Sequence, residues 1–499
     1  MKETEIRDGW LLPDAPSYEG GILSEAAYNI GGGLDISPES EIGRMQVIRE
    51  TNGAEFAAYC QKLETRGYER VYENAYMDNR FVQYRKNGAL LYTYYIAAWG
   101  EVRVIDDVAG VSVPEFEYVY EPAEGESIAL YQYAMMFNRN GNGNQKGDPY
   151  GNCGMFFILR LADNSVVLID GGDIRQATAK AAAELMKFLR EITHTTEKEK
   201  VRIASIFISH FHDDHKRFLD RLVDSYSDQI VIERAFYNLP TGCQPSFPAF
   251  GRKLAEKFPE TKFLKAHTGQ KIRMGGMLIE VVTTHEDMVD AVSGRFIARD
   301  QNNTSTPLKL TINGRTMMML TDWGGGHTVA PPEYEVVEPR FFGMYQSGEG
   351  EYAFIKSDII QVTHHALNPY MGKVNAAIGA EYAFFPAADV EMASQAHPNV
   401  VNVNYDQLLA AGTDPEKVYF ASRYTYCLDF ARDGTITVAA EPIRGADTED
   451  DPNTPNLDRH GVPQEHLKEQ DYVNVTLKAY RPYRVPTDGE FANWALLHQ

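Results

Sequence analysis

The sequence is short of several things, and each shortage closes off a class of protein. Four cysteines in 499 residues, Cys60, Cys153, Cys243 and Cys427, lie far apart and form no C-x-x-C pair. This argues against a disulfide-stapled scaffold or a thiolate zinc site and leaves a reducing cytoplasm as the expected compartment. No run approaches the roughly 18 consecutive apolar residues that a membrane-spanning helix needs. The N-terminus, MKETEIRDGWLLPD, has no basic stretch leading into an apolar one, so no signal peptide is read. Positive charge is scarce as well: 48 Lys+Arg stand against 70 Asp+Glu, a formal net charge of −22. Such a surface repels nucleic-acid backbones and anionic membranes at long range, while leaving room for a local cationic or metal-lined site.

What is present reads as a globular chain, 43% hydrophobic and 24% charged, too long for a single core. Residues 1–44 are rich in Gly, Pro and Ser and read as an irregular lead-in. MQVIRE reads as a strand, and Thr51 and Asn52 offer N-caps for a helix carrying Phe56, Tyr59, Cys60 and Leu63 at helical spacing up to Gly67. RVYENAYM, RFVQYRK and ALLYTYYIAAW follow as a meander, whose tyrosines are expected to pack against that helix. Beyond it, continuous apolar runs such as MFFILRL, SVVLID, VRIASIFIS, TMMMLTD and SDIIQVT alternate with helical segments, the pattern of sheets covered by helices. The chain therefore divides into a lead-in and small α+β module at 1–126, an α/β body at 127–443, and an acidic, Pro-rich linker and tail at 444–499.

One short segment carries chemistry. VRIASIFIS runs into His210-Phe211-His212-Asp213-Asp214-His215, an H-x-H-x-D-H spacing at the carboxyl end of a buried strand. A tight turn there can aim His210 and His212 at one metal ion, and Asp214 and His215 at a neighbouring one. Imidazole and carboxylate donors suit Zn2+, and also Mn2+ or Fe2+. Three histidines among six positions are hard to attribute to chance when the whole chain has 13.

With these residues the sequence resembles the metallo-β-lactamase superfamily. Its first motif matches Asp170-Gly171-Gly172 after SVVLID, its bridging aspartate matches Asp322 after TMMML, and its last histidine matches His364 in the pair His364-His365 after SDIIQVT. Asn302-Asn303-Thr304-Ser305 and Ala396-His397-Pro398-Asn399 resemble the branch containing the metallohydrolase domain of bacterial DNA-uptake channels and related phosphodiesterases. There are departures: HHAL stands where that branch has HHGS, and LTDW where it has LTGD. The third-motif histidine is matched only by His285, which lacks the usual Pro-Gly before it.

The resemblance, over about 127–440, implies an αββα sandwich holding two divalent cations, zinc first among them. His210 and His212 would hold one, Asp214, His215 and His364 the other, with the choice between His364 and His365 left open, and Asp322 would bridge, with Asp170 orienting the metal loop. It implies hydrolysis of an ester bond by a water made acidic by the metals. The expected substrate is a small anionic phosphodiester, and nucleic acid is disfavoured by the surface charge. His365 or His397 would protonate the leaving group, Asn302, Asn303 and Ser305 would touch substrate, and a homodimer is compatible with the small module. Lactone, thioester or amide hydrolysis is the alternative within the fold, and an iron-dependent persulfide dioxygenase is the alternative across classes.

Overall fold

A computed structural model describes residues 7–30, 43–107, 117–123, 126–133, 154–173, 177, 179–240, 246–297, 301–324, 331–346, 352–368, 371–387, 400–421 and 424–442. His397, the tail at 444–499 and most of the lead-in after residue 30 fall outside them. The fold is mixed α/β, and no helix among the described residues is long and apolar enough to cross a membrane.

The N-terminal module is a seven-stranded antiparallel sheet built around the strands Arg44–Arg49, Glu101–Asp107, Ala89–Ile96, Asn79–Lys86 and Glu69–Tyr76 in that spatial order. The helix Gly53–Thr65 starts where Asn52 Oδ1 accepts from the Ala54 and Glu55 amides at 3.0 and 3.1 Å, satisfying two of its orphan donors. Its Phe56, Tyr59 and Leu63 pack on Val82, Tyr84, Leu91 and Tyr95. Alternate residues of the same strands face the other way: Phe81, Tyr92 and Tyr94 enter the core of the body. The tyrosines thus serve both faces of the sheet, not the helix alone.

The body holds two larger sheets. One is nine-stranded and mixed, running Lys262–Lys265, Arg234–Tyr237, Val201–Ile208, Val166–Asp170, Phe156–Arg160, Ile128–Gln132, Tyr424–Phe430 and Ile436–Pro442, with Ile230–Ile232 also pairing Val201–Ile208. The other is eight-stranded, and Met277–Val281, Leu308–Ile312, Arg315–Met319, Ile359–Gln361 and Tyr382–Phe385 are successive neighbours in it. Phe157, Leu159, Val167, Ile169 and Phe207 of the first share a core with Ile279, Leu310, Met317, Met319 and Ile359 of the second. Burying each such side chain contributes about 1.5–3 kcal/mol. The helices Ala179–Ile192, Arg217–Tyr226 and Ser246–Lys257 cover the far face of the nine-stranded sheet, through Leu185, Phe188, Leu222 and Phe250. Helices Pro331–Tyr345, Gly372–Ile378 and Val400–Ala410 cover that of the eight-stranded one, through Phe341, Met344, Val374 and Leu408.

The helix Pro331–Tyr345 is not anticipated by the sequence, because Pro339 lies inside it and a proline normally ends a helix. The apolar segment QIVIERAFYN holds two strands, broken at Glu233, each pairing a different part of Val201–Ile208.

The small sheet is joined to the body by buried polar groups. Lys265 Nζ donates to Asp107 Oδ1 at 2.7 Å, Tyr92 OH to the Thr268 carbonyl at 2.7 Å and Tyr94 OH to Asp287 Oδ1 at 2.9 Å. His267 sits between Glu286 Oε1 at 2.7 Å and Asp107 Oδ2 at 3.4 Å. Its sequence surroundings carry no motif and make it look inert, yet it is the middle of this network.

Candidate metal centre

The centre is assembled at the carboxyl ends of parallel strands. Val166–Asp170 pairs Val201–Ile208 with Ile169 opposite Phe207, which brings Asp170 against Ser209. The Ser209 amide donates to Asp170 Oδ1 at 2.8 Å and its hydroxyl to Oδ2 at 2.7 Å. His215 Nδ1 donates to the same Oδ2 at 2.6 Å. Since the Ser209 proton is given to Asp170, its oxygen is free to accept from His210 Nδ1 at 3.1 Å. One carboxylate therefore sets the tautomer of two histidines and leaves both Nε2 atoms as lone-pair donors.

The sequence Asp-Gly-Gly is needed for this. Asp170 has φ 59°, a left-handed conformation that Asp tolerates better than most residues. A Cβ on Gly171 would lie 2.3 Å from Leu219 Cβ, so only glycine lets the helix Arg217–Tyr226 sit against the turn.

The opposite side comes from the eight-stranded sheet. Gln361, fully buried, accepts from the Thr321 amide at 2.6 Å and donates to the Thr321 carbonyl at 3.2 Å. The Thr321 carbonyl also accepts from the His364 amide at 2.8 Å. This ties the loop carrying Asp322 to the loop carrying the histidine pair. His364, His365 and Ala366 all have positive φ, at 46°, 52° and 60°. Three consecutive non-glycine residues in that region are strained, and the clamp holds them there.

The side chains meet around Asp322 Oδ2, which lies 3.2 Å from His215 Nε2, 3.4 Å from His365 Nε2 and 3.7 Å from His210 Nε2. His365 Nε2 is also 3.1 Å from Asp214 Oδ2. Two overlapping donor sets result: Asp214, His215, Asp322 and His365, and His210, His212 and Asp322. Nitrogen and carboxylate donors so close together match a divalent cation in each set. His210 Nε2 and Asp322 Oδ1 are buried with no hydrogen-bond partner, as expected of atoms reserved for a metal.

Electrostatics agree. Burial alone would lower the His215 pKa, but the carboxylates of Asp322, Asp170 and Asp214 outweigh it and push it up to about 10. Burial would raise Asp322, yet His215 and His365 hold it well below the usual carboxylate range. Without a cation, imidazole protons balance the carboxylates. Burial, with His215 beside it, keeps His210 well below the ordinary histidine value.

The structure brings together Asp170, His210, His212, Asp214, His215 and Asp322. Of the histidine pair, His365 enters the cluster, and His364 is in neither donor set. Its Nδ1 is 2.9 Å from the Pro386 carbonyl and 3.2 Å from the Gly154 amide nitrogen, and its Nε2 faces the carboxylates. His364 stands beside it, its Nε2 accepting from Asn302 Nδ2 at 3.1 Å. Asn303 Oδ1 accepts from the Gly324 amide at 3.2 Å, and the Thr306 amide donates to the Ser209 carbonyl at 3.0 Å. The segment holding Asn302, Asn303 and Ser305 is thus wedged between the two halves of the site.

His285 is in neither donor set. Its Nε2 donates to Asn238 Oδ1 at 2.8 Å and its Nδ1 accepts from Tyr28 OH at 3.1 Å. Burial pushes its pKa down to about 4. The Thr284 capping box, closed by Asp287, turns it toward the small sheet, and the T-x-x-D spelling of that box was a readable signal. Ser209, Gln361, Asn238 and the Pro386 carbonyl carry no local signal of their own.

No protein-family model and no curated protein matches the chain. Solved structures resemble it weakly. Unliganded yeast PDE1 is 11% identical over 60% of this chain and 98% of that one, with a TM-score of 0.36. CmlA, a diiron beta-hydroxylase from Streptomyces venezuelae, is 13% identical over 60% of this chain, with a TM-score of 0.32, and the match spans only 53% of its length. A mutant flavo di-iron protein from Thermotoga maritima is 13% identical over 71% of this chain and 72% of that one, with a TM-score of 0.24. Likeness at this level does not reach to chemistry, so the reading of function rests on the site.

Proposed function

We propose that the chain is a dinuclear metal hydrolase with the αββα layering of the metallo-β-lactamase superfamily, acting on a phosphodiester of a small anionic substrate. The observation that carries the reading is the shared position of Asp322, whose one oxygen faces His215, His365 and His210. In this reading His210 and His212 hold one cation, Asp214, His215 and His365 the other, and Asp322 both. The first set would offer three protein groups, the number common in catalytic sites. Two divalent cations, Zn2+ first and Mn2+ or Fe2+ next, supply Lewis acidity and a water that ionises near neutral pH.

The chain's own contributions are orientation and exclusion of water. Asp170 aims His215 directly and His210 through Ser209. The Pro386 carbonyl and the Gly154 amide hold His365 through its Nδ1, and in this reading that residue is a ligand, not the proton donor. Asn302, Asn303 and Ser305 wall the cluster beside His364 with neutral hydrogen-bonding groups. A monoanionic diester suits such a wall, and a net charge of −22 disfavours a long polyanion. The donor set also fits iron, so an iron-dependent redox enzyme is the second reading.

The deciding experiment is elemental analysis of the purified protein combined with nitrophenyl phosphodiester, phosphomonoester, lactone and thioester substrates. Two metal equivalents with preferential diester cleavage are expected. Iron with oxygen consumption and no hydrolysis would overturn the proposal.

A further inference from the structure

One buried carboxylate belongs neither to the metal centre nor to the network under the small sheet. Glu338, in the helix Pro331–Tyr345, is 5% exposed. Lys373 Nζ lies 3.3 Å from its Oε1, although the Lys373 side chain itself is 79% exposed. Lys373 stands on the neighbouring helix Gly372–Ile378. Between the helices is a cavity of about 640 Å³, lined by this pair together with Phe342, Tyr352, Ala376 and Ala377. The Phe342 and Tyr352 rings are 4.5 Å apart and tilted by 46°.

A buried carboxylate costs free energy unless it is paired, and here the partner hangs on a flexible stem that lies mostly in water. We propose that this cavity binds a small primary amine, a mono- or polyamine in its ammonium form. Glu338 is the counter-ion, and Phe342 and Tyr352 are cation–π walls. Lys373 displays the chemistry of the slot, since a primary ammonium already sits at hydrogen-bonding range of the carboxylate. An incoming amine replaces it, and the lysine head returns to solvent. A primary ammonium is favoured over a quaternary one because it has N–H groups to donate to the carboxylate. The cavity is within the common size range of small-molecule sites, about 300–1,000 Å³. The net charge of −22 raises the local concentration of small cations. The site lies in the outer helical layer and does not depend on the reaction proposed above.

The test is isothermal titration of the full chain with cadaverine and with spermidine, using pentanediol as the uncharged control. Saturable binding of the amines alone is expected. Glu338→Gln should weaken it about tenfold or more, and Phe342→Leu should weaken it less. Lys373→Ala should tighten it, because the internal competitor is gone. Circular dichroism establishes that each variant is folded, and the lysine and phenylalanine variants carry the test if the glutamine one is not. Absence of binding in both wild type and Lys373→Ala would overturn the proposal. So would equal affinity in all variants, the behaviour of amines condensing on an acidic surface.

Discussion

Asp170 Oδ2 lies 2.6 Å from His215 Nδ1, and both residues are fully buried. The contact ties the Asp170 turn to the candidate metal centre, while Asp170 itself is in neither donor set. Asp170→Asn keeps the shape and tolerates the left-handed backbone, but removes the charge that holds His215 and, through Ser209, His210. Metal affinity is expected to fall about 10–100-fold while the fold is retained. Competition against a chromophoric chelator measures this, and an unchanged affinity would show that some other group orients the histidines.

The histidine pair separates by metal content. His365→Ala removes a donor from the four-residue set and should leave fewer than two metals per chain. His364→Ala should leave both. His285→Ala should also leave both, but it strands the Tyr28 hydroxyl and Asn238, at about 1–3 kcal/mol of stability. Elemental analysis and urea unfolding read the two effects separately.

His267 gives the junction of small sheet and body a pH dependence. Burial alone would lower its pKa, but Glu286 and Asp107 outweigh it and push it up to about 9. The ordinary histidine value is about 6.5. The group therefore contributes stability that is complete below about pH 6.5 and is lost as pH rises through 9, on the order of 3 kcal/mol in all. The urea midpoint should fall between pH 7 and 9. A His267→Gln variant should start lower and lose less over that interval, and the difference between the two curves isolates this histidine.

The loop that carries His210, His212, Asp214 and His215 was legible because these candidate donors are contiguous. H-x-H-x-D-H needs one strand end and one turn, and local spacing specifies both. Asp170 and Asp322 were legible for a related reason, since each ends an apolar run and is followed by a glycine-rich turn. The choice between His364 and His365 was not legible. Consecutive side chains diverge, and which imidazole turns inward is decided by Gln361 acting on Thr321 and by a carbonyl 21 residues further on. His285 was assigned by its place after a strand, whereas its direction is set by a capping box and by Tyr28, 257 residues away. The layers of the body followed from long apolar strands, but a helix containing Pro339 gives no periodic signal strong enough to override its proline.

The ion pair between Lys265 and Asp107 bears on how such a protein can change over generations. The ammonium comes from the body, and the carboxylate that neutralises it comes from a part of the chain 158 residues earlier. Recombination that exchanged one part without the other would leave a buried, uncompensated charge, at about 3–5 kcal/mol, a large fraction of a typical domain's stability. The two parts are constrained to be inherited as a unit, and substitutions at Asp107, Lys265, His267 and Glu286 should be found to vary together or not at all.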